Sequence, residues 1–133
     1  MTRLSSSFER ERELIVIEAK IVGPAAATGV RLVLDTGAAA TTLVPEVIER
    51  ICYTPRDGFK KAKVHTATEE EEGYWLRVAE ITVLGVTTPD FALAVFPLGH
   101  QEIDGLVGMN FLRHFNVELR PVERLVVVEL IGS

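Results

Sequence analysis

Cysteine is nearly missing from this chain: Cys52 is the single thiol in 133 residues, so no disulfide framework is available and the fold must rest on a buried apolar core. Long hydrophobic runs are missing too. None approaches the roughly 20 apolar residues that cross a bilayer, and the polar, doubly signed stretch from Met1 to Glu13 lacks the apolar segment of a secretory signal. The expectation is a cytoplasmic protein with no membrane partner. A basic excess is also absent. Nineteen acidic residues face 14 basic ones, for a net charge of -5, the wrong sign for neutralising phosphates, so nucleic acid is not an expected partner. His65, His100 and His114 are too scattered for a metal-ligand set, and Cys52 has no neighbouring His, so no metal or other cofactor is inferred and Cys52 is read as inert packing. Neither a G-x-S-x-G elbow nor a glycine-rich phosphate loop occurs.

What the chain has is apolar residues in short β-rich stretches. Hydrophobic residues make up 47% of it, which suits one folded domain that buries about two thirds of its unfolded surface and leaves some apolar surface for self-association. Residues 1–12, with Ser5 to Ser7 and alternating charges, read as a flexible leader, and residues 13–133 as the domain. Leu14 to Val22 and Val30 to Leu34 predict a hairpin around Gly23-Pro24; the second arm is apolar enough to be buried on both faces. Pro45 to Cys52 has the proline start and apolar spacing of one short helix. Lys60 to Thr68 and Tyr74 to Val83 predict a second hairpin, joined by Glu69 to Glu72 and Gly73 as a solvated acidic tip. Val86 to Phe96 is a further strand, Met109 to His114 a second short helix, and Phe115 to Arg120 with Glu123 to Ile131 a closing pair. The last strand, Leu125 to Ile131, is so apolar that something must cover it.

The candidate chemistry begins where the apolar run Leu32-Val33-Leu34 delivers Asp35 into the small-residue turn Thr36-Gly37-Ala38. Alone, this Asp reads first as a turn or helix cap, because its carboxylate bonds nearby backbone N–H groups. A second element, Asp104-Gly105-Leu106-Val107-Gly108, lies some seventy residues downstream, and the two together resemble the retropepsin-like aspartic proteases across about residues 13–131. The resemblance implies an all-β, single-domain, retropepsin-like acid-protease closed barrel with one or two short helices. It implies catalytic roles for Asp35, Thr36 and Gly37, and substrate contact by Ala38 and by a flap containing Thr66, Ala67 and Thr68. Leu106, Val107 and Gly108 would pack behind the catalytic loop. Peptide hydrolysis by water needs one carboxylate to take a proton and one carboxylic acid to give one. Four aspartates are present and one alone, Asp35, stands in D-T-G. The implied enzyme is therefore a homodimeric aspartic endopeptidase acting on a peptide or protein substrate, with Asp35 of each subunit at the two-fold axis and Leu125 to Ile131 as the candidate interface. The rival is a protease-like dimerisation or peptide-binding module of little turnover. The acidic tip reads either as plain solvated loop or as a device favouring basic peptides.

Overall fold

The computed structural model describes residues 2–65, 70–99 and 102–131, with the backbone alone at Val64 and His65. In chain order the strands are β1 (Thr2–Ser7), β2 (Glu9–Glu11), β3 (Leu14–Val22), β4 (Ala27–Leu34) and β5 (Thr42–Leu43), followed by helix α1 (Pro45–Arg50) and a 3-10 turn at Pro55–Asp57. Then come β6 (Lys60–His65), β7 (Glu70–Val83), β8 (Val86–Val95), β9 (Gly105–Val107), helix α2 (Met109–Leu112), β10 (Phe115–Arg120) and β11 (Leu125–Leu130).

Eight strands form one sheet in the order β2-β3-β4-β9-β5-β8-β7-β6, and a further β3–β7 pairing closes its central six into a ring. That ring is the expected all-β closed barrel. Inside it pack Ile17, Ile21, Leu32, Leu43, Leu76, Ile81 and Leu93, each almost fully buried, with Val47, Ile48 and Ile51 of the α1 region covering one end. Phe111 of α2 seals another part through an edge contact to Phe91, 5.9 Å between ring centroids, and a tilted one to Phe115 at 5.3 Å. The β7–β8 hairpin turns on Leu84 and Gly85, both at positive φ, the backbone that matches strand twist in a two-residue turn.

Five expectations change. The leader is no leader: β1 pairs antiparallel with β11 from Thr2↔Leu130 to Ser7↔Leu125, and β2 pairs with β3. The physical reason is that β11 offers an unfilled edge, while Phe8, 6% exposed, anchors the segment in the core and its N–H donates to the Arg124 carbonyl at 3.0 Å. By the same pairing Leu125 to Ile131 is not a free interface. Strand β11 is the centre of a three-stranded sheet, β1-β11-β10, and Val127 is 5% exposed within the chain's own fold. Of the acidic run, Glu69 lies outside the described residues, and Glu70 to Glu72 are not in the hairpin tip but in β7 opposite His65, Val64 and Lys63, where lysine on the facing strand compensates charge that alone would favour a loop. Cys52 is exposed and at positive φ just past α1, outside the core, because the helix ends there and turns the chain outward. The second helix is also shorter than expected, ending at Leu112.

Candidate active site

Strand β4 is apolar because it runs through the barrel wall, pairing with β3 on one side and, in parallel, with β9 on the other: Leu32↔Gly105, Val33↔Leu106 and Leu34↔Val107. Gly105 is required there, since a Cβ would collide with the Thr42 carbonyl oxygen of β5. The ladder fixes where β4 stops. The Asp35 N–H still donates to the Val107 carbonyl at 3.0 Å, and the chain then turns, with Ala38 N–H reaching the Asp35 carbonyl at 3.3 Å. Inside that turn Gly37 N–H donates to Asp35 Oδ1 at 2.9 Å. Asp35 is half-buried, Thr36 and Gly37 are exposed, and the Thr36 hydroxyl has no hydrogen-bond partner among the described residues.

The turn is fastened from behind. Gly108 passes so close that a Cβ on it would stand 2.7 Å from the Ala38 carbonyl oxygen and 2.8 Å from that of Ala40. Its neighbours Met109 and Asn110 donate their N–H groups to Ala38 and Ala39 carbonyls at 2.8 and 3.0 Å. A buried polar group completes the fastening. The Asn110 side-chain oxygen accepts from both the N–H and the hydroxyl of Thr41, at 2.8 and 2.7 Å. Thr41 Oγ1, itself 0% exposed, accepts from Gly108 N–H at 3.1 Å, and Asn110 Nδ2 donates to the Ala92 carbonyl at 2.9 Å. Thr41 and Asn110 carry no motif that marks them in the sequence; the signal open to reading was a polar residue on each side of the small and glycine-flanked runs. Asp104 adds a further tie, accepting from Arg31 N–H at 2.8 Å while its own N–H donates to the Arg31 carbonyl at 2.9 Å.

Strand alternation separates two residues expected to pack together. Val107 enters the core, while Leu106 faces a cleft of about 610 Å³ floored by Ala38, Ala39, Ala40 and Ala94. Its walls include Trp75, Phe96 and Leu98, and its rim is the β6–β7 hairpin. Trp75, to which the sequence assigned no site role, thus joins Ala38 in the lining. Asp35 lies beside this cleft and outside its lining, three residues before Ala38. Tyr74, the preceding residue of β7 and on its other face, packs against the core instead; burial, then the charges of Glu49 and Asp57, push its phenol above the ordinary value. Thr66, Ala67 and Thr68 lie outside the described residues. Of the acidic run Glu71 lines the cleft, and Glu70 forms an ion pair with Lys63 at 3.2 Å. Among the described residues no group of His, Cys, Asp and Glu could hold a metal ion, and no helix is long and apolar enough to cross a membrane.

A six-strand ring with an acid-bearing loop held between parallel strands defines the retropepsin-like aspartic protease fold. The model of the family described as "gag-polyprotein putative aspartyl protease" matches residues 23–114, more than half of the chain, and the chain belongs to that family. It is similar to a retropepsin-like aspartic protease from Rickettsia conorii, at 20% identity and a TM-score of 0.71 over 97% of this chain and 92% of that one. It also resembles EIAV protease complexed with the inhibitor HBY-793, at 16% identity and 0.59 over 79% and 90%. The retroviral protease-like domain of Ddi1 from Leishmania major gives 15% and 0.59 over 92% and 97%. No curated protein matches the chain. At these identities the solved structures speak to the fold.

Proposed function

We propose that the protein is a homodimeric aspartic endopeptidase in which the two Asp35 carboxyls of a symmetric pair activate a water molecule. The observation that carries this reading is the Asp35 turn itself, with its carboxylate pinned by Gly37 N–H at 2.9 Å on a loop fastened from behind by the Thr41–Asn110 pair. Such a loop holds an acid at fixed position at the protein surface, and a chain with one D-T-G obtains its second acid from a second copy. Thr36 supports the pairing, because its exposed hydroxyl is free to bond across the two-fold axis. Two carboxyls about 3 Å apart share one proton across working pH. The ionised one takes a proton from water as the water oxygen attacks the peptide carbonyl carbon, and the protonated one donates to the carbonyl oxygen. Collapse of the tetrahedral diol breaks the C–N bond, with a proton passing to the departing amine.

In this reading Ala38 and Leu106 meet the substrate from below, and the β6–β7 hairpin, with Thr66 to Thr68 beyond it, closes over an extended peptide as a flap. A cytoplasmic setting belongs to the proposal, supported by the exposed and unpaired Cys52, a thiol that a reducing compartment keeps free. The test is Asp35→Asn, assayed on a mixed peptide library with the oligomeric state measured in parallel. The amide keeps size but neither accepts the water proton nor shares the dyad proton, so cleavage should vanish while the dimer persists. Peptide binding without cleavage by the wild type would assign the fold to a binding module.

A further inference from the structure

Strand β9 is three residues long and stands between β4, its parallel neighbour, and the two-residue β5. It carries the Val107 carbonyl that takes the Asp35 N–H, so the height at which β9 lies along β4 sets the height of the acid. So short a ladder has few bonds with which to hold a register, and Gly105 permits the close approach to β5 without supplying a pull. The hold stands just before it. The Asp104 carboxylate accepts from Arg31 N–H at 2.8 Å, as the next carbonyl of a longer strand would. Asp104 N–H donates to the Arg31 carbonyl at 2.9 Å, and the Asp104 carbonyl accepts from Val44 N–H at 3.0 Å. Arg50 of α1 stands 3.8 Å from the other carboxylate oxygen. The Arg31 guanidinium adds a tie one step further back, donating from Nη1 to the Glu102 carbonyl at 3.0 Å and from Nη2 to Glu9 and Glu11 at 3.0 and 2.9 Å. Arg31 and Asp35 are thus the two ends of one ladder, with the Asp104 clamp at the first and the D-T-G turn at the second.

We propose that Asp104 is a positioning residue for Asp35: its carboxylate sets the register of β9 on β4 and, through Val107, the separation of the two Asp35 carboxyls. The effect on the carboxyl pair rests on the peptidase reading above; the hold on the Asp35 N–H does not. Two carboxyls that share a proton titrate as a pair, and the gap between their two constants closes as they part. Asp104→Ala is compared with Asp104→Asn, whose side-chain oxygen still accepts from Arg31 N–H. Ile81→Val, a change in the core of β7, is the control that lowers stability away from the ladder. Amide exchange at Asp35 is followed by NMR in deuterated water, and kcat/KM for one cleaved peptide is measured against pH. Asp104→Ala should speed exchange at Asp35 at least about tenfold relative to the β7–β8 amides. Its pH bell should narrow by about half a unit on each limb, with KM within about twofold of the wild type. Asp104→Asn should keep the wild-type exchange and bell, and Ile81→Val should move neither. If Asp104→Ala does not fold, Arg31→Gln is read in its place, since it leaves the backbone bonds and removes the side-chain ties; exchange should then quicken about threefold. Unchanged exchange at Asp35 in whichever of the two is folded, or equally fast exchange in Asp104→Asn, overturns the proposal and assigns the register to the buried Val107. Faster exchange with an unmoved bell overturns the link to the carboxyl pair. Faster exchange with no cleavage by the wild type sinks the peptidase reading and leaves the hold on Asp35 standing.

Discussion

The Asp35 loop and the β6–β7 hairpin flank the same cleft and are held in opposite ways. The loop is tied at each step: Asp35 to Val107, Ala38 to Met109, Ala39 to Asn110, and Thr41 to both Gly108 and Asn110. The hairpin has one neighbour. Strand β7 pairs with β8 from Tyr74↔Val95 onward, but residues 70–73 pair with β6 alone, and β6 is an edge. A two-stranded ribbon without a third strand is marginal in water. One side of the cleft is thus tied at every step and the other is not; in the peptidase reading proposed above, the first holds the acid for proton transfer and the second lifts for a peptide to enter.

The largest effect that tests this contrast is on chemistry. Asp35→Asn should lower kcat by at least about a thousandfold, the scale of removing a general acid–base group, while leaving the urea midpoint almost unmoved; retained turnover in the purified variant would take Asp35 out of the reaction. Next is the fastening. Asn110→Ala strips Thr41 N–H, the Thr41 hydroxyl and the Ala92 carbonyl of their partner in a partly buried site, and should cost about 2 kcal/mol of stability in urea titration, with kcat falling as the loop loses its support. A loss below about 1 kcal/mol would mean that water replaces Asn110 without penalty and that the loop is held by backbone alone.

A smaller effect belongs to the hairpin base. Gly73 stands where β7 leaves β8, and a Cβ there would run into the Val95 carbonyl and come within 2.8 Å of the Phe96 ring. Gly73→Ala should tilt the ribbon, raise KM several-fold and cost about 1 kcal/mol, less than Asn110→Ala. Equal losses from both would erase the contrast between a fixed and a movable side. The smallest effect is at Tyr74. Its folded-state pKa is raised, first by burial and then by Glu49 and Asp57, so the unfolded chain gives up this proton first as pH rises. The stabilisation is whole below the unfolded value of about 10 and is lost as pH climbs through the folded value. Urea midpoints of the wild type should fall between pH 8 and ~10.5 more steeply than those of Tyr74→Phe.

How far the sequence could be read follows from the distance over which each feature is determined. The β4 run into Asp35-Thr36-Gly37 is legible because a strand buried on both faces has to be continuously apolar, and its acid stands directly after it. Gly108 is legible through the resemblance, which places it behind the catalytic loop where close backbone approach admits no other residue, whereas the same need at Gly105 emerges only with the β4–β9–β5 pairing. The Thr41–Asn110 pair is not, because its partners lie 69 positions apart and a threonine bears no mark of being wholly buried. Strand β1 was hidden for a similar reason: Ser5 and Ser6 have weak strand preference of their own and are ordered by the edge of β11. The acidic run misled because its neighbours on β6 are visible only once the register is known. Leu106 and Val107 differ simply by alternation, which the two glycines flanking them obscured.

The pairing of Thr2 with Leu130 joins two strands far apart in the sequence. Bringing the ends of that span together from an open coil costs about 4 kcal/mol in chain entropy, against far less for a hairpin of adjacent strands. That cost vanishes once the barrel has formed, because the barrel already holds the ends near one another. The β1–β11 contact is therefore expected to act as a clasp that forms late and opens before the ring, so that its amide protons exchange faster than those of β3 and β4.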